Sequence, residues 1–126
     1  MQDVAINWAS LWFAAQRKNW PLARYFYNEA RSHIQWAVRI NPNDKVNGEI
    51  VDLQSIYDAI DTSSLAMVKD SIDKMNYTTF VPNYKTMLES CYSCHKAAGK
   101  PMLKPQIPTQ MPLTIINLDP NATWPE

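Results

Sequence analysis

The chain has 126 residues, of which 46% are hydrophobic and 19% are charged. This balance is typical of one globular domain and excludes an intrinsically disordered chain. Lysine plus arginine and aspartate plus glutamate number 12 each, and the zero net charge argues against a general nucleic-acid binder. No apolar run approaches the roughly 20 residues that a membrane-spanning helix requires, so we expect no membrane span.

The first residues carry no recognisable export signal. The segment 1–4 lacks a basic start followed by an apolar stretch. The sequence therefore fits either a cytoplasmic protein or an exported protein whose signal has been removed, and the cysteine motif described below favours removal.

Apolar residues recur at helical spacing and predict four helices in succession. The first is expected over 4–18, with Asp3 as its N-cap and with Trp8, Leu11 and Trp12 on its inner face.

The next two helices are predicted from their flanking turns. The second is expected over 21–40, between an Asn-Trp-Pro turn and an Asn-Pro-Asn-Asp turn. The third is expected over 46–75, where the polar segment 62–64 is a candidate interruption.

The fourth helix is expected over 79–98, because Gly99 occupies the position of a helix C′ glycine and Pro101 prevents the helix from resuming. The remaining segment, 99–126, is rich in proline and is predicted to be extended. Within it, Ile115 and Ile116 are the one weak candidate for a strand.

Short connections between amphipathic helices indicate an all-α chain folded as an antiparallel four-helix bundle over 1–98. The extended Pro-rich C-terminal tail over 99–126 is expected to pack on the bundle or to contact a partner.

Residues 91–95 read Cys-Tyr-Ser-Cys-His, the C-x-x-C-H signature of covalent c-type haem attachment. Two cysteines three residues apart share one face of a helix, so their sulfurs can reach the two vinyl groups of one haem. The histidine that follows at once can ligate the iron from the proximal side. We therefore expect thioether bonds at Cys91 and Cys94 and an axial iron ligand at His95.

Other interpretations of the two cysteines remain open. A redox dithiol usually occurs in a βαβ context, which is not predicted here. A zinc site needs four ligands, and the chain holds just two cysteines and two histidines, His33 and His95. The cysteines could also be buried residues of a non-haem helical interaction module.

The motif in a fourth helix, near the end of a bundle over about 4–98, resembles the class II c-type cytochromes of the cytochrome c′ type. The resemblance implies a four-helix bundle, one covalent haem c and an extracytoplasmic, usually periplasmic, location. It also implies a possible homodimer through the first two helices, for which Tyr25 and Trp36 are candidates. The tail after Gly99 departs from that family.

In the low-spin members of that family, a methionine of the first helix supplies the sixth iron ligand. Here the inner face of that helix offers Trp8, Leu11 and Trp12 instead, so these three residues are expected to line an apolar haem pocket. The alternative sixth ligands are His33, Met67, Met75 and Met111.

Two functions follow from these expectations. The first is one-electron transfer to a redox partner protein, for which Lys96, Lys100 and Lys104 are candidate steering charges. The alternative is binding of NO or CO at an open distal site. No acid or base histidine is evident beside the expected pocket, so we expect no enzyme activity.

Overall fold

The structure is a computed structural model that describes residues 1–124; residues 125 and 126, including Pro125 of the predicted tail, lie outside the described residues. The expectation of a mostly helical chain is confirmed. The elements in order are α1 (Gln2–Gln16), α2 (Trp20–Ile40), β1 (Asn43–Val46), β2 (Glu49–Asp52), α3 (Leu53–Asp61), α4 (Ser64–Asp73) and α5 (Tyr77–Ala97).

The turn between α1 and α2 forms as its residue types predict. The Asn19 side chain accepts a hydrogen bond from the Leu22 amide at 3.3 Å, and Pro21 lies in the first turn of α2. The start of α1 was predicted wrongly, because Met1 is the N-cap and Asp3 lies within the first turn. A carboxylate there still complements the positive end of the helix dipole.

The single third helix predicted over 46–75 is wrong. Its beginning belongs to a β-hairpin in which Val46 pairs with Glu49. Asn47 and Gly48 have φ angles of 52° and 83°, the positive values that a tight two-residue hairpin turn needs. The strand candidate at Ile115 and Ile116 is also wrong, because those residues lie in a turn.

The remainder of the predicted third helix divides into α3 and α4 at the Thr62–Ser63 step. The hydroxyl of Thr62 donates to the Asp58 carbonyl at 3.1 Å, and that of Ser63 donates to the Ala59 carbonyl at 2.6 Å. These side chains compete for the backbone carbonyls at the end of α3, which favours a break there.

The last helix, α5, begins earlier than predicted. Asn76 is its N-cap, and its side chain accepts from the Thr79 amide at 3.2 Å. At the other end, Gly99 has a φ of 77° directly after the C-cap Ala98, so the predicted C′ glycine is confirmed.

Aromatic residues join α1 to α5 in an antiparallel pair. Trp8 stacks on Tyr84 with ring centroids 5.1 Å apart. Trp12 packs in a tilted orientation against Phe80 with ring centroids 6.3 Å apart. The Tyr84 hydroxyl donates to the Trp8 carbonyl at 2.8 Å in a buried position. Higher residue numbers on α1 therefore meet lower numbers on α5.

The segment formed by α3 and α4 packs antiparallel to its neighbours. On α2, Tyr27 donates from its hydroxyl to the Leu65 carbonyl at 3.0 Å. On α5, Ser90 Oγ lies 2.7 Å from Ser64 Oγ, whereas Thr79 donates to Ser71 at 3.0 Å. These contacts arrange the helices as a bundle around one apolar core.

The tail after α5 contains no helix or strand within the described residues. Four of its apolar side chains pack against the core: Ile107, Met111, Leu113 and Leu118. The Asn19 side-chain amide donates to the Leu118 carbonyl at 3.2 Å. The tail thus runs from the end of α5 back to the turn between α1 and α2. Within residues 1–124, no helix has the length and apolar character needed to cross a membrane.

A bidentate ion pair links α2 to α3. Arg31 donates from Nε and Nη2 to the two carboxylate oxygens of Asp61 at 2.7 and 3.0 Å, and the Tyr57 hydroxyl donates to the same carboxylate at 3.2 Å. The hydrogen bonds from Arg31 lower the pKa of Asp61 below its ordinary 3.8. A carboxyl with a lowered folded-state pKa stabilises the fold above its unfolded pKa, and the stabilisation is lost as the pH falls through the folded value.

We expect Asp61→Asn to lower the free energy of unfolding by about 1 kcal/mol at pH 7, after allowance for the partial exposure of the pair. The loss should begin to shrink below pH about 4, where the carboxyl of the unfolded wild-type chain takes up a proton, and should disappear below the lowered pKa of the folded carboxyl. Urea unfolding between pH 3 and 7 measures both effects. Asp70→Asn is the control, because its exposed pair with Lys74 should change stability by less than about 0.5 kcal/mol. Parallel pH profiles for wild type and Asp61→Asn would contradict the expectation.

Candidate functional site

The C-x-x-C-H motif lies in the last two turns of α5. Cys91 and Cys94 are half-buried free thiols on one face of the helix, and Cys91 packs against the apolar core. The upstream half of α5 buries Phe80, Tyr84 and Met87, which anchors the helix. The thiols therefore have a rigid base.

Both thiols are held in the neutral form. Burial raises the pKa of the Cys91 thiol to about 12, and burial also raises the pKa of Cys94. Both residues stand near the C-terminus of α5, whose partial negative charge further disfavours a thiolate. A reactive redox dithiol needs the opposite conditions, so this setting argues against that interpretation.

His95 has a defined tautomer. Its Nδ1 atom lies 2.8 Å from the backbone carbonyl oxygen of Leu103. A carbonyl can only accept a hydrogen bond, so Nδ1 must carry the proton. The lone pair is then on Nε2, which is the nitrogen left to bind a metal.

The backbone beyond α5 places this carbonyl beside His95. The Gly99 amide donates to the Lys96 carbonyl at 3.0 Å, and the Lys100 amide donates to the His95 carbonyl at 2.8 Å. This pair of bonds is the Schellman arrangement, which turns the chain back over the last helical turn. The Tyr92 hydroxyl donates to the Pro101 carbonyl at 3.2 Å and holds the returning segment.

The hairpin that the sequence analysis missed lies against the same end of α5. A Cβ atom on Gly99 would stand 2.9 Å from Val46 Cγ1, so the strand β1 packs directly on the helix cap. The Asn-Gly pair at 47–48 is the sequence signal that could have revealed this hairpin.

The three expected pocket residues are all buried in the α1–α5 core. Trp8 stacks on Tyr84, two turns before Cys91, and its Nε1 has no hydrogen-bond partner within the described part of the chain. Trp12 contacts Phe80, which precedes Cys91 by about 16 Å along the helix axis. Leu11 is completely buried. Trp12 also contacts Tyr84, with ring centroids 4.9 Å apart, so both indole rings pack against the residue two turns before Cys91.

The candidate sixth ligands are in different surroundings. His33 faces two carboxylates, with Nδ1 4.0 Å from Asp3 and Nε2 3.8 Å from Glu29. Met67 and Met75 are 47% and 65% exposed and lie outside the core. Met111 packs against the core from the tail.

The part of the chain that the structure describes, 1–124, contains no group of three or more His, Cys, Asp or Glu side chains that could hold a metal ion. An iron already held by a porphyrin needs only one or two axial side chains. Two neutral thiols and an imidazole with a free Nε2 are the groups that covalent haem attachment uses.

Comparisons with protein-family models, with curated proteins and with solved structures found no match to this chain. The geometry of the 91–95 motif and of its surroundings is therefore the basis for the function proposed below.

We expect both thiols of the unmodified chain to react slowly with iodoacetamide at pH 8, with Cys91 the slower. A pKa of about 12 against the ordinary 9.0 leaves roughly a thousandfold less thiolate at pH 8, and only the thiolate is nucleophilic. Alkylation rates of the single variants Cys91→Ala and Cys94→Ala assign the rate of each thiol, and the urea-unfolded chain is the control. Reaction of the folded chain as fast as the unfolded chain would restore the dithiol interpretation.

Proposed function

We propose that the chain is a monohaem c-type cytochrome that transfers single electrons. In this proposal, Cys91 and Cys94 attach the haem and His95 is the axial ligand of its iron. The observation that carries the proposal is the His95 tautomer, because a proton fixed on Nδ1 by the Leu103 carbonyl leaves Nε2 available to iron beside two free thiols.

The neutral state of the thiols suits the attachment. Cys91 and Cys94 would each hold the group through one thioether bond, in which the sulfur would bond to one carbon of a vinyl C=C and the S–H hydrogen would go to the other. The bound haem would supply an iron that accepts and releases one electron. The Nε1 of Trp8, which has no hydrogen-bond partner among residues 1–124, is a donor that would be available to an acceptor atom of the group.

Residues around the motif would control access to the group. The half-buried positions of Cys91 and Cys94 leave one edge of the attachment site near solvent, as electron exchange with a redox partner protein requires. Lys96, Lys100 and Lys104 are exposed just beyond it and would attract an acidic partner.

The class II interpretation of the fold is part of this proposal. It is supported by the antiparallel contacts between α1 and α5 and by the position of the motif at the end of the last helix. Covalent haem attachment would place the protein outside the cytoplasm, usually in the periplasm. Tyr25 and Trp36, which are 56% and 57% exposed on α2, are available for a homodimer contact.

Binding of NO or CO at an open distal position is the second candidate function. It is favoured by the inner face of α1, where Trp8, Leu11 and Trp12 provide no strong iron ligand. The position of His33 beside the carboxylates of Asp3 and Glu29 further favours this alternative.

Co-expression with a haem c assembly system tests the proposal. We expect a covalent adduct that survives denaturation, as intact-mass analysis and the absorption spectrum would report. Cys91→Ala or Cys94→Ala should leave one thioether, and the double variant should have none. A chain without any adduct, under conditions that mature a known c-type cytochrome, would refute the proposal. A ferrous spectrum that shifts with CO would favour gas binding, whereas a low-spin spectrum indifferent to CO would favour electron transfer.

Met111→Ala tests the candidate sixth iron ligand that packs against the core. If the ferrous protein is low-spin and Met111 is the sixth ligand, this variant should become high-spin and should bind CO. Met102→Ala is the matched control, because Met102 is 69% exposed and is separated from His95 by only seven residues. A low-spin spectrum that survives Met111→Ala would exclude this ligand.

A further inference from the structure

We propose that the first turn of the tail, residues 99–103, is a positioning element for the iron ligand His95 and lowers the reduction potential of the bound haem. This inference rests on the proposed function and deepens it. It assigns roles to Tyr92, Gly99 and the Leu103 backbone, which lie outside the three residues of the attachment signature.

His95 is in direct contact with the backbone of Leu103. The Leu103 carbonyl accepts the Nδ1 proton of His95 at 2.8 Å, a short bond for a neutral pair. This bond holds the imidazole in one tautomer and restricts rotation of the ring. It also makes Nε2 a stronger electron donor, as hydrogen bonds from metal-ligating histidines do in general.

The backbone of residues 99–103 holds the Leu103 carbonyl beside His95. The chain reverses at Gly99, which has a φ of 77°. A residue with a side chain adopts this angle only at a cost in conformational free energy. The Leu103 amide donates to the Lys100 carbonyl at 3.1 Å, which closes a tight turn. Leu103 thereby returns to the level of His95 on the helix that it has just left.

A side-chain hydrogen bond from Tyr92 holds this turn against α5. Tyr92, a variable position inside the motif, donates from its hydroxyl to the Pro101 carbonyl at 3.2 Å. The ammonium group of Lys96 lies over the Tyr92 ring, 4.7 Å from the centroid, and restricts the ring. The motif therefore carries the residue that fixes the partner of its own histidine.

The β-hairpin packs against the start of the turn from the other side. Val46, at the end of β1, packs against Gly99 so closely that a Cβ atom there would lie 2.9 Å from Val46 Cγ1. The hairpin consequently limits how far residues 99–103 can move away from α5.

The electronic consequence follows from the direction of the hydrogen bond. A more electron-rich Nε2 stabilises ferric iron over ferrous iron, which lowers the reduction potential. Weakening the bond to Leu103 should therefore raise the potential, even when the haem remains attached and the fold is unchanged.

Tyr92→Phe and Gly99→Ala test the proposal in the full chain. The first removes the hydroxyl but keeps the ring under Lys96. The second adds a methyl group against Val46. Gly48→Ala is the control for the strain of a side chain at positive φ, because Gly48 has a φ of 83° against 77° at Gly99 but no atom within 4 Å of a new Cβ. Tyr25→Phe is the control for Tyr92→Phe, since Tyr25 is exposed on α2.

Two readouts are needed. Nitrogen-15 NMR of the chain before haem attachment should show the His95 proton on Nδ1, with exchange roughly fivefold faster in Tyr92→Phe, the equivalent of about 1 kcal/mol. Potentiometry of the haem-loaded protein should show a higher midpoint potential in Tyr92→Phe and Gly99→Ala than in wild type, with both controls unchanged.

The outcomes separate this inference from the proposed function. Attached haem with equal potentials in wild type, Tyr92→Phe and Gly99→Ala would overturn the positioning role alone. A His95 proton on Nε2 would overturn the positioning role, because the Leu103 bond would then be absent, and would also remove the tautomer argument for the proposed function, which the test for covalent haem decides by itself. A wild-type chain that takes no covalent haem would overturn the proposed function, and this role with it.

Discussion

The packing of α1 on α5 is the interaction on which the position of the 91–95 motif depends. The stack of Trp8 on Tyr84 and the buried hydrogen bond between the Tyr84 hydroxyl and the Trp8 carbonyl join the two ends of the helical sequence. Aromatic pairs and buried hydrogen bonds of this kind each contribute about 1 kcal/mol. They hold the first half of α5 rigidly, so its last two turns project from a fixed base.

Those last two turns carry all the chemistry proposed for the chain. Burial and the negative end of α5 keep Cys91 and Cys94 protonated, while the Leu103 carbonyl keeps the proton of His95 on Nδ1. Both effects act in the same direction: they suit neutral thiols that form thioethers and an imidazole that offers Nε2 to iron. They suit a redox dithiol poorly, because such a site stabilises a thiolate.

The tail and the hairpin together enclose the site at the end of α5. The tail leaves α5 at Gly99, returns over His95 and reaches Asn19, at the opposite end of α5, through the Leu118 carbonyl. The hairpin supports the reversal through Val46. Residues that are distant in sequence thus converge on the last turn of one helix, where backbone groups would otherwise lack partners.

The sequence by itself determined most of the helical segments, because helical periodicity and capping residues are local signals. It located the turn at Asn19, the C′ glycine at Gly99 and the spacing of Cys91, Cys94 and His95 on one helix. Its errors at 46–75 were also local: an apolar periodicity was followed through the Asn-Gly turn at 47–48, whose positive φ angles it does not allow.

Only the tertiary structure decided what surrounds the motif. The partner of His95 Nδ1 is a backbone carbonyl, which carries no side-chain signal, and it reaches the imidazole through a chain reversal. The contact of Val46 with Gly99 joins segments more than fifty residues apart, which no local pattern encodes. The neutral thiols likewise depend on burial by other elements, because the charge state of a cysteine is set by its surroundings and not by its position in a motif.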